Sequence, residues 1–431
     1  MGSRKLSPRR MVAAGFFIII LTGTLLLMLP VSSADGCGIP FVDSLFTATS
    51  AVCVTGLVSV DPGIGFSLFG QVVLAVLIQI GGLGITSIGV IIILAAGGRF
   101  SMRSQRLIKE ALNLSTGKGI KGVVQAVLYV TVAFEFAGAA CSFFSFSHDY
   151  DIADAVRVSI FHSIAAFNNA GFDVLGNGNS LVNYQSDTWL CAVTSALIVF
   201  GGLGFFVITE LVSGKKPSRW SLHTKAVLVT TAMLIIGGTL MLKLSEGSRF
   251  SWLEAFFQSV SARTAGFASV SVGSISSAGL LVLMVLMFIG ASPGSTGGGI
   301  KTTTFFVLAR KAHSTVFSRH CSAFRRTIPE STVTKAFMVF VMAASVIVFM
   351  VFLICMTEPE LTFQQITFEV VSAYGTTGLS TGITPHLSAA SKVLLSLTMY
   401  TGRLGALTLA TVWMSREVPA CRYSEEDITI G

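Results

Sequence analysis

Four short strands of this chain end in glycine: Cys53-Val54-Thr55-Gly56, Asn168-Asn169-Ala170-Gly171, Arg263-Thr264-Ala265-Gly266 and Gly375-Thr376-Thr377-Gly378. Each has a phenylalanine ten residues before the glycine (Phe46, Phe161, Phe256, Phe368) and a small residue five before it (Ala51, Ala166, Ser261, Ala373). Each is followed directly by Leu57, Phe172, Phe267 or Leu379. Coincidence at these positions in all four segments marks an internal repeat. The chemistry open to such strands is the replacement of an ion's water. A cation that sheds its hydration shell needs oxygens at close range, and carbonyls serve when successive C=O groups of an extended chain face one axis. Glycine permits the φ values this requires. A short helix ahead of the strand aims its negative end at the same axis. Since carbonyls coordinate, the differing side chains matter less. Arg263 is the awkward member, because a cation beside a cation site is repelled. It is expected to turn away and pair with an acid; the alternative is that it tunes the outer mouth.

A second candidate is the stretch 290–304, which contains Gly290, Pro293, Gly294, Gly297, Gly298, Gly299 and Lys301. So much glycine and proline cannot make a stable helix. Apolar residues resume at 305–308 before the next basic cluster, which places the break inside a membrane span. The alternative is a loop that ends the span early. The stretch imitates a phosphate loop but misses the GxxxxGK[ST] spacing by one residue and follows no strand. Arg403 lies mid-span, where a charge costs roughly 2.5–3.5 kcal/mol on insertion scales. With Lys301 it is a candidate barrier below the filter that also anchors the 290–304 loop; a buried ion pair or a snorkelling side chain is the alternative. Glu135 and Glu210 are further acids in or near spans.

The elements that must position these groups are membrane helices. Of 431 residues, 52% are hydrophobic and only 12% charged, against roughly a quarter charged in soluble domains. Eight apolar segments are expected at 11–30, 66–97, 122–147, 188–212, 224–244, 277–309, 334–356 and 390–414. Each approaches the ~20 residues that cross a bilayer. The second and sixth are long enough to be tilted or broken. The glycine-ended segments, 40–61, 154–176, 251–273 and 363–384, fall between the members of each pair. They are too short and polar to cross alone, as re-entrant pore helices with loops would be. The N-terminus has the outline of a signal peptide, but its apolar run is long enough to span and reads as the first helix.

The net charge of +8 sits in alternate short loops, an orientation signal rather than a nucleic-acid groove. Lys and Arg cluster before span one, between spans two and three, four and five, and six and seven, and after span eight. Both termini are therefore expected in the cytoplasm. The seven cysteines show no metal-binding spacing.

On these residues the chain resembles the Trk/Ktr/HKT superfamily of potassium transporters, and within it the KtrB type, over about residues 11–415. The first repeat begins at once, without extra helices ahead of it. The resemblance implies an all-α polytopic fold: four units of helix, pore helix with loop, and helix around a pseudo-four-fold central pore. The units are 1–110, 111–220, 221–326 with a broken second helix, and 327–415, followed by a cytoplasmic tail, 416–431. It implies K+ at the filter carbonyls, with glycine at Gly56 favouring potassium over sodium, and 290–304 as an intramembrane loop that blocks the pore. It further implies a homodimer in lipid, in a bacterial inner membrane. The expected partner is a cytosolic RCK-type, KtrA-like nucleotide-binding subunit, with basic loops such as 310–326 as its docking surface. Sodium is a candidate activator. This chain has no Rossmann fingerprint, and no organic cofactor is expected on it.

Two other classes compete with this cation channel. An alternating-access secondary transporter would use the broken sixth span, but no second broken helix is evident in an inverted-repeat position. An intramembrane enzyme lacks any His-Glu-x-x-His, Ser/Lys or paired-aspartate constellation.

Overall fold

The computed structural model describes residues 8–84 and 120–405, save 177, 179 and 215. The basic residues between 99 and 118 and the tail from 416 therefore lie outside the described residues. What is described is mostly helical, and its helices fall into four successive triplets.

The first helix of each triplet is long: α1 (Pro8–Leu27), α4 (Ile120–Phe146), α8 (Leu222–Glu246) and α12 (Glu330–Thr357). These are the four described helices long and apolar enough to cross a bilayer by themselves, and only 22–33% of their spanning windows is buried. They form the periphery, and their apolar outer faces suit lipid. The pore helices are α2 (Phe41–Cys53), α5 (Ile152–Phe167), α9 (Trp252–Ser261) and α13 (Phe363–Gly375). Ser251 with Glu254, and Thr362 with Gln365, close capping boxes on the last two, which satisfies their first amides.

The second helices are α3 (Leu68–Leu83), α6 (Thr188–Leu203), α10 (Ser277–Phe288) and α14 (Ala389–Leu404). All four are capped by a side chain that accepts from a first-turn amide: Ser67, Asp187, Ser276 and Ser388. At 12–16 residues and ~1.5 Å per residue, none spans ~30 Å. A break was expected in the sixth apolar segment and allowed in the second; the helices of the fourth and eighth stop short as well. Three stop at Gly84, Gly204 and Gly405, with φ of +78°, +89° and +82°. The break at Gly204 was not foreseen. There α6 turns by 101° into α7 (Phe205–Val212).

A repeated glycine earlier in the same turn explains the packing. A Cβ on Gly81, Gly201 or Gly402 would lie 2.2, 1.9 or 2.0 Å from the carbonyl oxygen of Val52, Phe167 or Tyr374. Each of those carbonyls is near the C-terminus of that repeat's own pore helix. Between repeats the second helix packs on the next pore helix: α3 on α5, α6 on α9, α10 on α13, and α14 back on α2. The four repeats therefore close into a ring.

After α10 the chain runs as a loop to α11 (Thr302–Val316). A two-stranded hairpin, β1 (Ser322–Ala323) with β2 (Arg326–Thr327), follows. Phe324 and Arg325 at its tip both have positive φ, the twist that two-residue hairpins favour.

Candidate functional site: a ring of four glycines

The four pore helices end at one point. A Cβ placed on Gly56 would sit 2.4 Å from the oxygen of Ala170. On Gly171 it would sit 2.6 Å from that of Ala265, on Gly266 2.2 Å from that of Thr377, and on Gly378 2.2 Å from that of Thr55. Each glycine thus abuts the carbonyl preceding the next glycine, and the fourth returns to the first. The four have φ of +94°, +65°, +81° and +95°. Two residues earlier, Val54, Asn169, Thr264 and Thr376 also have positive φ, +56°, +57°, +111° and +49°. Four non-glycine residues in this region at one register position are a shared constraint. Left-handed residues alternating with extended ones turn successive carbonyls to the same side of the strand, which a uniform β-strand cannot do. The amide nitrogens turn the other way. Gly56 and Gly378 donate to the hydroxyls of Ser50 and Ser372 at 3.0 and 3.1 Å.

The following residues, Leu57, Phe172, Phe267 and Leu379, are at most 1% exposed and wedge the strands from behind. In repeat three the expected Phe256 does not do the same work as its counterparts: it is 38% exposed, while Phe257 is fully buried. The helix is shorter there, 10 residues against 13–16 in the other three, and stops five residues before its glycine rather than three or four. The amide before the glycine bonds the carbonyl six residues before the glycine in repeats one, two and four (Ser50, Ala165, Ser372), but five before it, at Ser261, in repeat three. The expected phenylalanine register therefore slips by one there.

The side chains of these four strands are buried. Asn168 donates to Gln79 and Glu135 at 3.0 and 2.9 Å. Asn169 shares a 2.9 Å hydrogen bond with Thr264 of the next repeat. Arg263 turns away, as expected, but not to an acid. It is 7% exposed, reaches the Gly290 carbonyl at 3.5 Å, and no carboxylate pairs with it among the described residues. It lines a small internal cavity with Asn169 and Gly202. The hydroxyls of Thr55 and Thr377 are buried without a protein partner.

Of the stretch 290–304, residues 302–304 are the first turn of α11 and not loop; the loop ahead of them lies against the inner ends of these strands. Gly298 donates its N–H to the Thr376 hydroxyl at 2.9 Å. A Cβ on Gly297 would meet the Thr264 hydroxyl at 2.5 Å, and one on Gly299 the Gly375 carbonyl at 3.3 Å. Arg403 donates to the Thr296 carbonyl in the loop and to the Gly81 carbonyl of repeat one. Lys301 donates to the Gly297 carbonyl at 2.7 Å. Residues of repeats two, three and four thus grip one loop, with Thr296 also reaching the Phe167 carbonyl at 3.4 Å, while Arg403 bridges the loop to repeat one; the glycines allow the approach without side chains.

Sequence reasoning missed two groups. Glu369, on α13, is 1% exposed. It accepts from the Ser380 hydroxyl (2.7 Å), the Thr381 amide (2.9 Å) and the Thr384 hydroxyl (2.9 Å). It pins the strand leaving the fourth glycine. Lys392 on α14 pairs with Asp43 on α2 at 2.7 Å, locking repeat four to repeat one. Polar residues inside an apolar helix pattern were the available signal for both.

What this arrangement can do is offer a closed ring of main-chain oxygens to a cation of low charge. No group of three or more His, Cys, Asp or Glu suited to holding a metal occurs among the described residues. Comparison with known proteins gives the family. The family model for TrkH, described as a cation transport protein, matches residues 10–228 and 220–420. The chain belongs to the TrkH family of cation transport proteins. Family members of known name lie close in sequence. The potassium/sodium uptake protein NtpJ of Enterococcus hirae is 38% identical, over 99% of this chain and 98% of its own. The Ktr system potassium uptake protein B of Bacillus subtilis is 35% identical, over 99% and 97%. The crystal structure of the potassium transporter TrkH from Vibrio parahaemolyticus shares the fold, with a TM-score of 0.70 at 22% identity, covering 96% of this chain and 87% of that one. As a TrkH-family chain this is a membrane protein for cation transport and not an enzyme.

Proposed function

We propose that this chain carries potassium into a bacterium through the glycine ring, in the manner of its Ktr relatives. The observation that carries the reading is the closure of four strands in which each glycine abuts the carbonyl of the next repeat. The carbonyls of the four strands, 53–56, 168–171, 263–266 and 375–378, replace the ion's water. The loop beneath, from Gly290 to Lys301, obstructs the path, and Arg403 holds it there. Parallel repeats joined in a ring favour this pore over an alternating-access transporter.

The rest of the reading follows from charge layout and kinship. The repeats are divided near 110, 220 and 326. Both termini face the cytoplasm of a bacterium and the basic loops lie on the same side. The relatives' names include a Ktr system, which supports a second, regulatory component. We assign that role to a nucleotide-binding cytosolic subunit docking on 310–326, beneath a homodimer in the plasma membrane. Sodium, which the Enterococcus relative's name includes, serves as activator or as a second permeant ion. The test is ion flux in proteoliposomes loaded with potassium, rubidium or sodium. Potassium and rubidium should move faster than sodium. Monodisperse protein that moves none of the three above the rate of empty vesicles overturns the proposal.

A further inference from the structure

The break at Gly204 has a consequence for the loop. A helix that stops leaves its last carbonyls and the next helix's first amides without partners. Here those orphan groups are taken by the 290–304 loop. The Gly202 carbonyl accepts from Ser292 at 3.1 Å, the Gly201 carbonyl accepts from Thr296 at 3.4 Å, and the Phe205 amide donates to the Gly294 carbonyl at 3.0 Å. Gly204 itself packs on the loop, since a Cβ there would lie 2.8 Å from the Pro293 oxygen. In an unbroken helix the i to i+4 rule pairs the Gly201 carbonyl with the Phe205 amide, and the Gly202 carbonyl with that of Phe206. The same groups cannot serve both partners.

We infer that the broken second helix of repeat two is the receptor for the blocking loop, and that a docked loop and a straight α6–α7 helix exclude each other. This rests on the proposed role of the loop and extends it. Opening then leaves no group of the helix unpaired: as the loop leaves, the helix heals across Gly204. The far end of α7 is tied to the cytoplasmic side. Glu210 accepts from the Ser221 amide at 3.1 Å and from the Ser221 hydroxyl at 2.8 Å, and also from the Thr224 hydroxyl at the start of α8. A push on the 213–221 link therefore reaches the loop through a single rigid arm. Such a two-state element is what coupling between distant sites requires.

The experiment places spin labels at the exposed Thr188 and Val212, with the exposed Cys37 replaced, in full-length protein in proteoliposomes. Healing the 101° bend lengthens their separation by about 10 Å at ~1.5 Å per residue. Deleting 294–299 frees the orphan groups and should produce that longer distance. Gly204→Ala disfavours the +89° φ and favours helix; it should lengthen the distance and raise partner-free flux by about fivefold, the ratio a preference of this size supports. A loop-deleted protein that keeps the short distance overturns the inference, as does folded Gly204→Ala protein with unchanged distance and flux. The distance reads this inference and the flux of the deletion reads the gate, so a long distance with unaltered flux would remove the gating role while leaving the receptor in place. Should Gly204→Ala not fold, the deletion decides alone.

Discussion

Serine in place of Gly56 tests the ring most sharply. Two costs follow from the geometry. An L-residue at φ +94° is strained by about 1–2 kcal/mol. Its Cβ would stand 2.4 Å from the Ala170 oxygen, where real Cβ atoms keep at least 3.0 Å, so the gap must open by about 0.6 Å. Functional groups must hold their place to within ~0.5 Å, and Ala170 supplies one of the ring's own carbonyls. The expected outcome is continued transport with the preference for potassium over sodium reduced about tenfold, equivalent to ~1.4 kcal/mol of differential binding. Competition between labelled rubidium and sodium in proteoliposomes measures it. The four positions also form a series. Cβ contacts of 2.2 Å at Gly266 and Gly378, 2.4 Å at Gly56 and 2.6 Å at Gly171 rank the serine variants from most to least damaging. Unchanged discrimination in folded Gly56→Ser protein, or a series in the reverse order, refutes the reasoning.

Deleting 294–299 should raise flux several-fold, since the loop touches the inner ends of the strands; correctly folded protein with an unaltered rate counts against obstruction. Arg403→Gln removes a cation that holds the loop to repeat one. Bonds from charged groups contribute about 1.5–3 kcal/mol each, so unactivated flux should rise about tenfold, with Arg403→Lys intermediate; equal rates for all three would show that the loop is held otherwise. Glu369→Ala strands a buried amide and several hydroxyls, at about 1–3 kcal/mol for each group left unpaired. It should lower both the melting temperature and ion discrimination, whereas Glu369→Gln should restore most of each; an alanine variant indistinguishable from the parent would dismiss the pinning role. For Asp43 and Lys392, whose side chains are 21% and 11% exposed, a double-mutant cycle should give about 1–2 kcal/mol of coupling, above the value for exposed pairs; zero coupling would show that the ring closes without them.

Much was written locally. The fourfold register of phenylalanine, small residue and glycine identified the pore segments, because a repeated backbone conformation demands the same residue types each time. The loop at 290–304 was visible because proline and clustered glycine break helices wherever they occur. Length and apolarity marked the outer helices, since a bilayer imposes both. What local pattern did not yield was where the even helices end. The fourth run of apolar residues carries on past Gly204, and hydropathy does not register the carbonyl of Phe167 at 1.9 Å from where a Cβ on Gly201 would stand. The slip in repeat three was equally hidden, because neighbouring Phe256 and Phe257 both fit the pattern and only the length of α9 chooses between them. Arg263 shows the limit most plainly. Charge alone suggested an acid, whereas the fold set its guanidinium beside the Gly290 carbonyl. The sequence by itself determined the residue types a carbonyl ring requires and their four places in the chain. Only the tertiary structure decided which carbonyl each glycine meets and what holds the loop, because most of those contacts join residues from about thirty to over three hundred positions apart that are brought together by the closing of the ring.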